Sequence, residues 1–192
     1  MRIIRREDYR RMPWKNGQGM TEEILCFPVG SDAERFDWRL SIAHVGTDGP
    51  FSLFPGVDRT IALLEGKGLL LDLPEDRTVT LSGTSDPFSF PGEWPVAGRN
   101  LDGPTMDLNV MTRRGRYRHA MTRRTFQTAQ SLQAVEYTLL VPTADVHVAI
   151  DGCWSQLDRF NTLELDCDEQ VTVDTVRPVD IFVIAISTAT PV

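Results

Sequence analysis

Arg39 lies where an arginine can do chemistry, in the stretch Phe-Asp-Trp-Arg-Leu-Ser-Ile-Ala of residues 36–43. Successive side chains of a β-strand point to opposite faces, so Arg39, Ser41 and Ala43 would share one face and the large apolar residues the other. An arginine among small residues can enter a cavity and hold a carboxylate through two parallel hydrogen bonds. The alternative is a solvated arginine on the outer surface. The pattern leaves both interpretations open.

Residues 14–21, Trp-Lys-Asn-Gly-Gln-Gly-Met-Thr, combine an aromatic ring, an amide and two glycines. Glycine permits positive φ and close approach of the backbone, and the Asn16 amide both donates and accepts hydrogen bonds. One interpretation is the lip of a pocket that contains Asn16 and is covered by Trp14. The other is an ordinary Asn-Gly turn that leads into a strand, with Trp14 as a plug of the core.

Asp107 and Asn109 lie two residues apart in the stretch Met-Asp-Leu-Asn-Val-Met of residues 106–111. A strand would send both side chains to the same face. There they either complement a cationic group across a pocket, or they cap a turn and bond to neighbouring backbone, as these residue types often do.

The elements that must position these residues are strands. Apolar and polar residues alternate with a period of two in several stretches, and turn signals that contain Gly or Pro recur between them. Helical spacing covers residues 31–36 at most. Short strands joined by tight turns predict an all-β sandwich or barrel with little helix. The clearest strand candidates are residues 77–82, 134–141, 145–150, 170–176 and 179–187.

A chain of 192 residues fits one compact domain. Within it we expect a first unit that carries the motifs, about residues 1–112, and a second β-unit at residues 134–192. The intervening residues 113–133 are polar and poor in strand pattern, which predicts a connector. We interpret its arginine-rich part, residues 113–124, as a solvated loop rather than a phosphate-binding surface, because the rest of the chain is acidic.

The formal net charge of −7 disfavours nucleic-acid binding, which draws its affinity from Lys and Arg. No stretch approaches the roughly 20 apolar residues of a membrane-spanning helix, and the N-terminus lacks the apolar segment of a signal peptide. The sequence therefore predicts a soluble cytoplasmic protein without nucleic-acid or membrane partners. Three widely spaced cysteines predict neither a disulfide framework nor a metal knuckle. The oligomeric state is open between a monomer and a homodimer.

A longer patterned run begins at residue 48 with Asp-Gly-Pro-Phe-Ser-Leu-Phe-Pro-Gly-Val-Asp-Arg. It continues with an apolar stretch, the turn Glu-Gly-Lys-Gly at residues 65–68 and a second apolar stretch. We interpret the two apolar stretches as the strands of a hairpin.

Together these segments resemble the HutD/Ves family, whose pattern combines Trp-x-Asn-Gly-x-Gly-x-Thr, Trp-Arg-x-Ser-x-Ala and Asp-Gly-Pro-Phe-Ser-x-Phe-Pro-Gly-x-Asp-Arg. The likeness extends to residue 114 of 192, although Gln18 replaces the commoner glycine of the first motif. The resemblance implies a bicupin-like barrel of the RmlC-like type, built from two stacked β-units, in a bacterial cytoplasm. It also implies an association with histidine utilisation and a role in sensing or limiting intermediates such as urocanate or formylglutamate.

Metal-dependent cupins carry His-x-His, a glutamate four residues later and a glycine-containing turn about seven residues further on. With Gly66 as the turn glycine, the ligand positions hold Leu53, Pro55 and Arg59, none of which supplies an imidazole or a carboxylate. The resemblance therefore implies no metal and no other cofactor. A permanently charged guanidinium favours an anion, and we expect Arg59 to bind a ligand carboxylate. The alternative is a structural ion pair of Arg59 with Asp58 or another acid.

Three functions compete at this point. The first is a non-catalytic protein that binds a small carboxylate metabolite. The second is a metal-independent isomerase or hydrolase in which Asp107 acts as general base and Arg59 stabilises anionic charge, although no activated nucleophile is visible. The third is a regulatory module whose arginine-rich stretch contacts a protein partner. We expect the first, with ligand-binding residues Trp14, Asn16, Arg39, Ser41, Arg59, Asp107 and Asn109.

Overall fold

The regular secondary structure of the chain is almost entirely β-strand. The structure, a computed structural model, describes residues 2–14, 17, 19–31 and 35–189. One 3-10 turn, Arg6–Asp8, accompanies the strands. In chain order the strands are β1 (Arg2–Ile4), β2 (Arg10–Pro13), β3 (Gly19–Phe27), β4 (Trp38–Val45), β5 (Gly49–Pro50), β6 (Val57–Glu65), β7 (Leu69–Leu73), β8 (Arg77–Leu81), β9 (Phe88–Pro91), β10 (Ala97–Asn100), β11 (Thr105–Arg113), β12 (Tyr117–Phe126), β13 (Gln130–Gln133), β14 (Tyr137–Pro142), β15 (Val146–Ile150), β16 (Cys153–Leu157), β17 (Thr162–Leu165), β18 (Gln170–Asp174) and β19 (Val179–Thr188).

The prediction of an all-β protein with little helix is confirmed. The short helical candidate at residues 31–36 lies partly outside the described residues. No helix in the described ranges has the length and apolar character that a membrane crossing requires.

The strands form two compact units. The motif unit is centred on Arg10–Arg118 and contains a six-stranded sheet in the order β2-β3-β4-β11-β6-β9 and a four-stranded sheet in the order β5-β10-β7-β8. The C-terminal unit is centred on His119–Ser187 and also includes β1. Its sheets have the orders β1-β17-β14-β19-β12 and β13-β18-β15-β16.

Alternation along β6 and β7 puts apolar side chains between the two sheets of the motif unit. Ile61 and Leu63 of β6 pack with Leu69 and Leu71 of β7 and with Phe90 of β9, and all five are buried. Removing each such side chain from water stabilises the fold by roughly 1.5–3 kcal/mol. This core holds in place the six-stranded sheet that carries most of the predicted site residues.

The predicted hairpin around Gly66 is wrong. β6 pairs with β11 and β9, whereas β7 pairs with β10 and β8 in the other sheet. The chain turns a corner between the sheets at Gly66, where φ is +113° and an added Cβ would lie 2.7 Å from the Thr105 side chain. Both facts require glycine. The turn signal was correct, but alternation does not distinguish a hairpin from a corner between sheets.

The C-terminal unit encloses an apolar core to which all of its strands except β1 contribute buried aliphatic or aromatic residues, and Ile3 of β1 packs against that core. Two of these strands, β12 and β13, lie within residues 113–133, so the interpretation of the arginine-rich part as a solvated loop is wrong. Met121 and Phe126 of β12 are buried while the arginines between them are not. The arginines made the stretch look too polar for a strand, although a few buried apolar residues are enough to fix the register of a strand.

Candidate functional site

Three neighbouring strands at the centre of the six-stranded sheet bring five of the predicted site residues onto one face. In the register of β4, β11 and β6, Met111 lies between Arg39 and Arg59, because it is opposite both. Two residues along the strands, Asn109 is opposite Ser41, and two residues further Asp107 is opposite Ala43. Directly opposite residues of antiparallel strands share a face. The predicted alternation of residues 38–43 is confirmed by this register.

Arg39 is buried, with only 5% of its surface exposed, and its Nε donates a hydrogen bond of 2.7 Å to the Glu23 carboxylate of β3. The alternative of a solvated Arg39 is therefore wrong. The Glu23 side chain is only 10% exposed, so both charged groups of the pair are largely excluded from water. A buried charge of this kind requires a partner of opposite charge, and Arg39 and Glu23 are partners of each other.

Arg59 is enclosed by aromatic rings. Its guanidinium carbon lies 5.3 Å from the ring centroid of Phe51, 5.6 Å from that of Phe54 and 5.1 Å from that of Phe90. Its Nη2 donates to Asn109 Oδ1 at 3.0 Å, whereas Nε is buried without an acceptor. Burial lowers the pKa of Arg59 to about 10; the charge of Asp107 opposes this effect and that of Arg39 adds to it. The guanidinium therefore still carries its proton at neutral pH.

The alternative of an Arg59–Asp58 ion pair is wrong. Asp58 Oδ1 accepts a hydrogen bond of 2.7 Å from Arg114, which also binds Glu93 at 2.8 Å. Asp58 and Arg59 are successive residues of β6, so their side chains point to opposite faces. Arg59 has no carboxylate in direct hydrogen-bond contact among the described residues.

Asp107 and Asn109 form a chain of polar contacts with Arg59. Asn109 Nδ2 donates a short hydrogen bond to Asp107 Oδ1 while its own oxygen accepts from Arg59. These contacts are between side chains, so the alternative in which the two residues cap a turn is wrong. Burial raises the pKa of the Asp107 carboxyl to about 7, against the opposing influence of Arg59 and Asn109. Its second oxygen, Oδ2, is buried and has no hydrogen-bond partner among the described residues.

Trp14 lies at the Asp107 end of this face rather than at the arginine end. Its indole Nε1 donates to Thr21 Oγ1 at 2.9 Å, and Thr21 is opposite Ala43 in the register that also places Asp107 there. An added Cβ on Gly19 would come within 2.7 Å of the Trp14 ring, which explains the second glycine of the motif. Asn16, also predicted to bind the ligand, lies outside the described residues.

A cavity of about 420 Å³ opens at this same end of the sheet. It is lined by the ends of β3, β4, β6 and β11 and by Gly17, and it includes His44, Glu65 and Thr105. None of the described residues predicted to bind the ligand lines it. Arg39 and Arg59 lie toward the opposite end of their strands, with the Phe51–Phe54 segment against Arg59.

The arginine-rich stretch is engaged in contacts within the motif unit. Arg113 donates to the carbonyl oxygens of Pro55 and Phe36, and Arg116 lies 2.5 Å from the Asp37 carboxylate. These side chains stabilise the loops next to β6 and β4. These contacts weaken the hypothesis that the arginine-rich stretch binds a protein partner, because Arg113, Arg114 and Arg116 all have contacts within the chain.

Comparison with known proteins assigns the chain to a family. The family model described as HutD matches residues 6–182. The chain belongs to the HutD family. Protein Ves of Citrobacter koseri is 39% identical over 163 residues, covering 82% of this HutD-family chain and 78% of that protein. A Pseudomonas putida protein described as an uncharacterized 21.2 kDa protein in hutC 3'region is 34% identical over 176 residues, covering 89% of this chain and 90% of that one.

Solved structures support the same assignment. HutD from Pseudomonas fluorescens SBW25 superimposes with a TM-score of 0.81 at 30% identity, covering 98% of this chain and 99% of that one. A cupin 2 conserved barrel domain protein from Leptotrichia buccalis superimposes with a TM-score of 0.62 at 12% identity, covering 93% and 96%. The second likeness concerns the fold alone. The HutD-family resemblance and the cupin-like β-barrel fold predicted from the sequence are both confirmed.

Several residues of the HutD-family site escaped the sequence analysis. Glu23 was overlooked although its strand alternates, because two successive glutamates conceal which one faces inward. The rings of Phe51, Phe54 and Phe90 were assigned no role, although two of them belong to the Phe-Ser-x-Phe motif. Among the described residues, no group of three His, Cys, Asp or Glu side chains is arranged to hold a metal ion.

Proposed function

We propose that this HutD-family protein binds a small anionic metabolite on the inner face of its six-stranded sheet, between Arg39 and Arg59. The observation that carries the proposal is the arginine pair itself, two buried guanidinium groups on either side of Met111. They are close enough for the charge of Arg39 to lower the pKa of Arg59. A ligand carboxylate would relieve this repulsion and accept hydrogen bonds from both groups.

The charge balance of the face favours an anion. Arg39 and Arg59 contribute two positive charges, and Glu23 contributes one negative charge. Asp107, with a pKa of about 7, contributes a second negative charge only above neutral pH. The face is therefore positive overall at and below pH 7, in a region where low water content strengthens electrostatic attraction.

Two unsatisfied atoms specify the chemistry of the ligand further. Arg59 Nε is a buried donor without an acceptor, and Asp107 Oδ2 is a buried oxygen without a partner, which accepts a hydrogen bond when the carboxyl is ionised and donates one when it is protonated. Leaving such a group unpaired costs about 1–3 kcal/mol, more for a charged group. A ligand with a carboxylate and a nearby N–H or O–H group would satisfy both. Formylglutamate and urocanate each carry a carboxylate and an N–H group and are our candidates.

Entry to this position requires movement of the Phe51–Phe54 segment. The segment has no regular structure between β5 and β6, and Leu53 at its tip is 56% exposed. Loops at the mouth of a binding site commonly move to admit and cover ligands. The relative of Pseudomonas putida is described by its position in the 3' region of hutC, which supports our proposal of a role in the control of histidine utilisation. We propose further that the protein acts in the cytoplasm.

Isothermal titration calorimetry with formylglutamate and urocanate tests the proposal. We expect heat of binding from the wild-type protein and none from Arg59→Met. The melting temperature should be nearly unchanged, because methionine replaces a partly unsatisfied buried charge with a side chain of similar length. Arg99→Met is the matched control, since Arg99 pairs with Asp72 at an exposed site of the same unit. Absence of heat with both acids, or equal binding by Arg59→Met, would refute the proposal.

A second candidate, a metal-independent isomerase or hydrolase, is favoured by one observation. A carboxyl with a pKa of about 7 is poised to act as a general base at neutral pH, and Asp107 is such a group. Prolonged incubation of each acid with the protein, followed by mass spectrometry and proton NMR, distinguishes the two functions. Turnover that disappears in Asp107→Asn supports catalysis, whereas recovery of the acid unchanged supports binding alone.

A further inference from the structure

The edge strands of this protein differ in how they are protected against pairing with another chain. Edge strands expose unpaired N–H and C=O groups, and proteins usually place charged residues or prolines on them. Among the described residues, six of the eight sheet edges carry arginine or proline: β1, β2, β5, β8, β9 and β12. The two exceptions are the edges of one sheet of the C-terminal unit, β13 with Gln-Ser-Leu-Gln and β16 with Cys-Trp-Ser-Gln-Leu.

Of these two edges, only β16 exposes a large apolar side chain. Trp154 has 54% of its surface exposed. The next most exposed aromatic residue among those described is Phe27, at 38%. Its neighbours Cys153 and Gln156 are also exposed. β16 carries no charge, on a chain whose net charge of −7 otherwise drives copies apart. An exposed aromatic on a neutral edge is a typical feature of an interaction surface.

The hairpin that β16 forms with β15 determines which backbone groups face outward. Ile150 is opposite Cys153, and the two residues between them, Asp151 and Gly152, have φ of 51° and 79°. Two positive φ values define a type I′ turn, in which Cys153 N–H binds the Ile150 carbonyl. Hydrogen-bonding direction alternates along a strand, so Trp154 and Gln156 direct their N–H and C=O groups away from β15.

We propose that β16 pairs antiparallel with β16 of a second copy of this chain, so that their sheet continues across a two-fold axis. In the register centred on Ser155, Trp154 is opposite the partner's Gln156, and the outward groups of both strands form four hydrogen bonds. Trp154 and the partner's Trp154 are diagonal neighbours on one face, within reach of each other. Asp151 and Arg159 flank β16 at equal sequence distances from Ser155, so each end of the paired strands has an acidic residue of one copy and a basic residue of the other.

This interface lies at the small end of those found in proteins, so we expect a dissociation constant in the micromolar range. Sedimentation velocity across that range should give a species of twice the 21.6 kDa chain mass. Gln156→Pro removes one outward N–H and leaves the hydrogen bonds between β16 and β15 in place. Trp154→Lys places a positive charge on the exposed edge. Both variants should be monomeric, whereas Gln130→Lys on the other neutral edge should dimerise like wild type. A monomeric wild type, or dimers in both edge variants, would overturn the proposal.

Disulfide trapping tests the register without depending on the stability of those variants. Residues opposite each other in a non-hydrogen-bonded antiparallel pair have Cα atoms about 4.5 Å apart, within the range that a disulfide spans. In a background of Cys153→Ser and Cys167→Ser, Ser155→Cys should form a reducible dimer under mild oxidation. Gln130→Cys in the same background should not. Cross-linking of Gln130→Cys but not of Ser155→Cys would assign the contact to the wrong edge and refute the proposal.

Discussion

The two units differ most clearly in what they bury. Every described residue that is both charged and buried belongs to the motif unit: Glu22, Asp37, Arg39, Arg59 and Asp107. In the part of the C-terminal unit that the structure describes, the buried polar residues are the neutral Thr138, Asn161 and Thr162, beside the apolar core. Thr162 and Asn161 have hydrogen-bond partners, Tyr9 and the backbone of Arg6.

This difference separates stability from function within one fold. The C-terminal unit is compact around an apolar core with no buried charge among its described residues, so β-structure of this kind does not require buried charge. The motif unit retains charges that make its core less favourable than an apolar one. Such retention is typical of sites with a function. Substitutions in the two units should therefore have different consequences.

The largest effect is expected in the apolar unit. Phe126→Ala removes a ring that is 1% exposed in its core and should lower the free energy of unfolding by about 3–5 kcal/mol. Urea unfolding followed by circular dichroism measures the loss, and Val176→Ala at a fully exposed position is the control. Metabolite binding should be unchanged wherever the variant is folded. A loss of affinity in the folded variant would contradict the separation of roles.

Breaking the buried Arg39–Glu23 pair should have the next largest effect. Glu23→Leu leaves the Arg39 guanidinium buried without its carboxylate and should cost about 3 kcal/mol of stability. The double variant Arg39→Met/Glu23→Leu should recover most of the loss, since neither charge is then left alone. Unfolding of the two single variants and the double variant completes the thermodynamic cycle. Additive losses would show that the two side chains act independently.

The pH dependence of stability should reveal Asp107. Its pKa is raised from 3.8 to about 7 by burial, so the folded protein holds a proton that the unfolded chain releases. This contribution to stability is complete below pH 4 and disappears as the pH rises to about 7. The slope over that window is on the order of 1 kcal/mol per pH unit. Asp107→Asn should remove it, and identical pH profiles for variant and wild type would exclude a raised pKa.

The smallest effect is expected at the surface of the motif unit. Arg114→Ala removes the exposed ion pairs with Asp58 and Glu93 and should cost less than about 1 kcal/mol. Thermal unfolding at low and high salt measures this cost, which should shrink as salt screens the charges. A larger loss that is insensitive to salt would show that the arginine-rich stretch does more for the fold than these contacts indicate.

Much of the site could be predicted because strand alternation carries directional information. Arg39 and Ser41, and likewise Asp107 and Asn109, were assigned to common faces from their spacing, and the register of β4 with β11 agrees. Alternation within one strand does not specify the strand that lies beside it. For this reason the pairing of Arg39 with Glu23, and the rings around Arg59, could not be inferred from the residues.

The errors have the same physical origin. The corner at Gly66 and a hairpin share one local sequence pattern, and only the pairing of distant strands distinguishes them. β12 was overlooked because three of its ten residues are arginines and only two of its residues are buried. Local pattern indicates which side chains can be buried, whereas long-range contacts decide which ones are.

The corner at Gly66 also bears on how the barrel of the motif unit could open. Because β6 runs directly into β7 there, the two walls of the barrel are one continuous piece of polypeptide at that rim. The two sheets could separate at that rim only if β6 or β7 lost its backbone hydrogen bonds to neighbouring strands. At the opposite rim, where β6 begins next to Arg59, two longer connections join the sheets: residues 51–56 between β5 and β6, and residues 92–96 between β9 and β10. We expect ligands to reach the buried arginines from that rim, because its connections are six and five residues long whereas the corner at residues 66–68 has three.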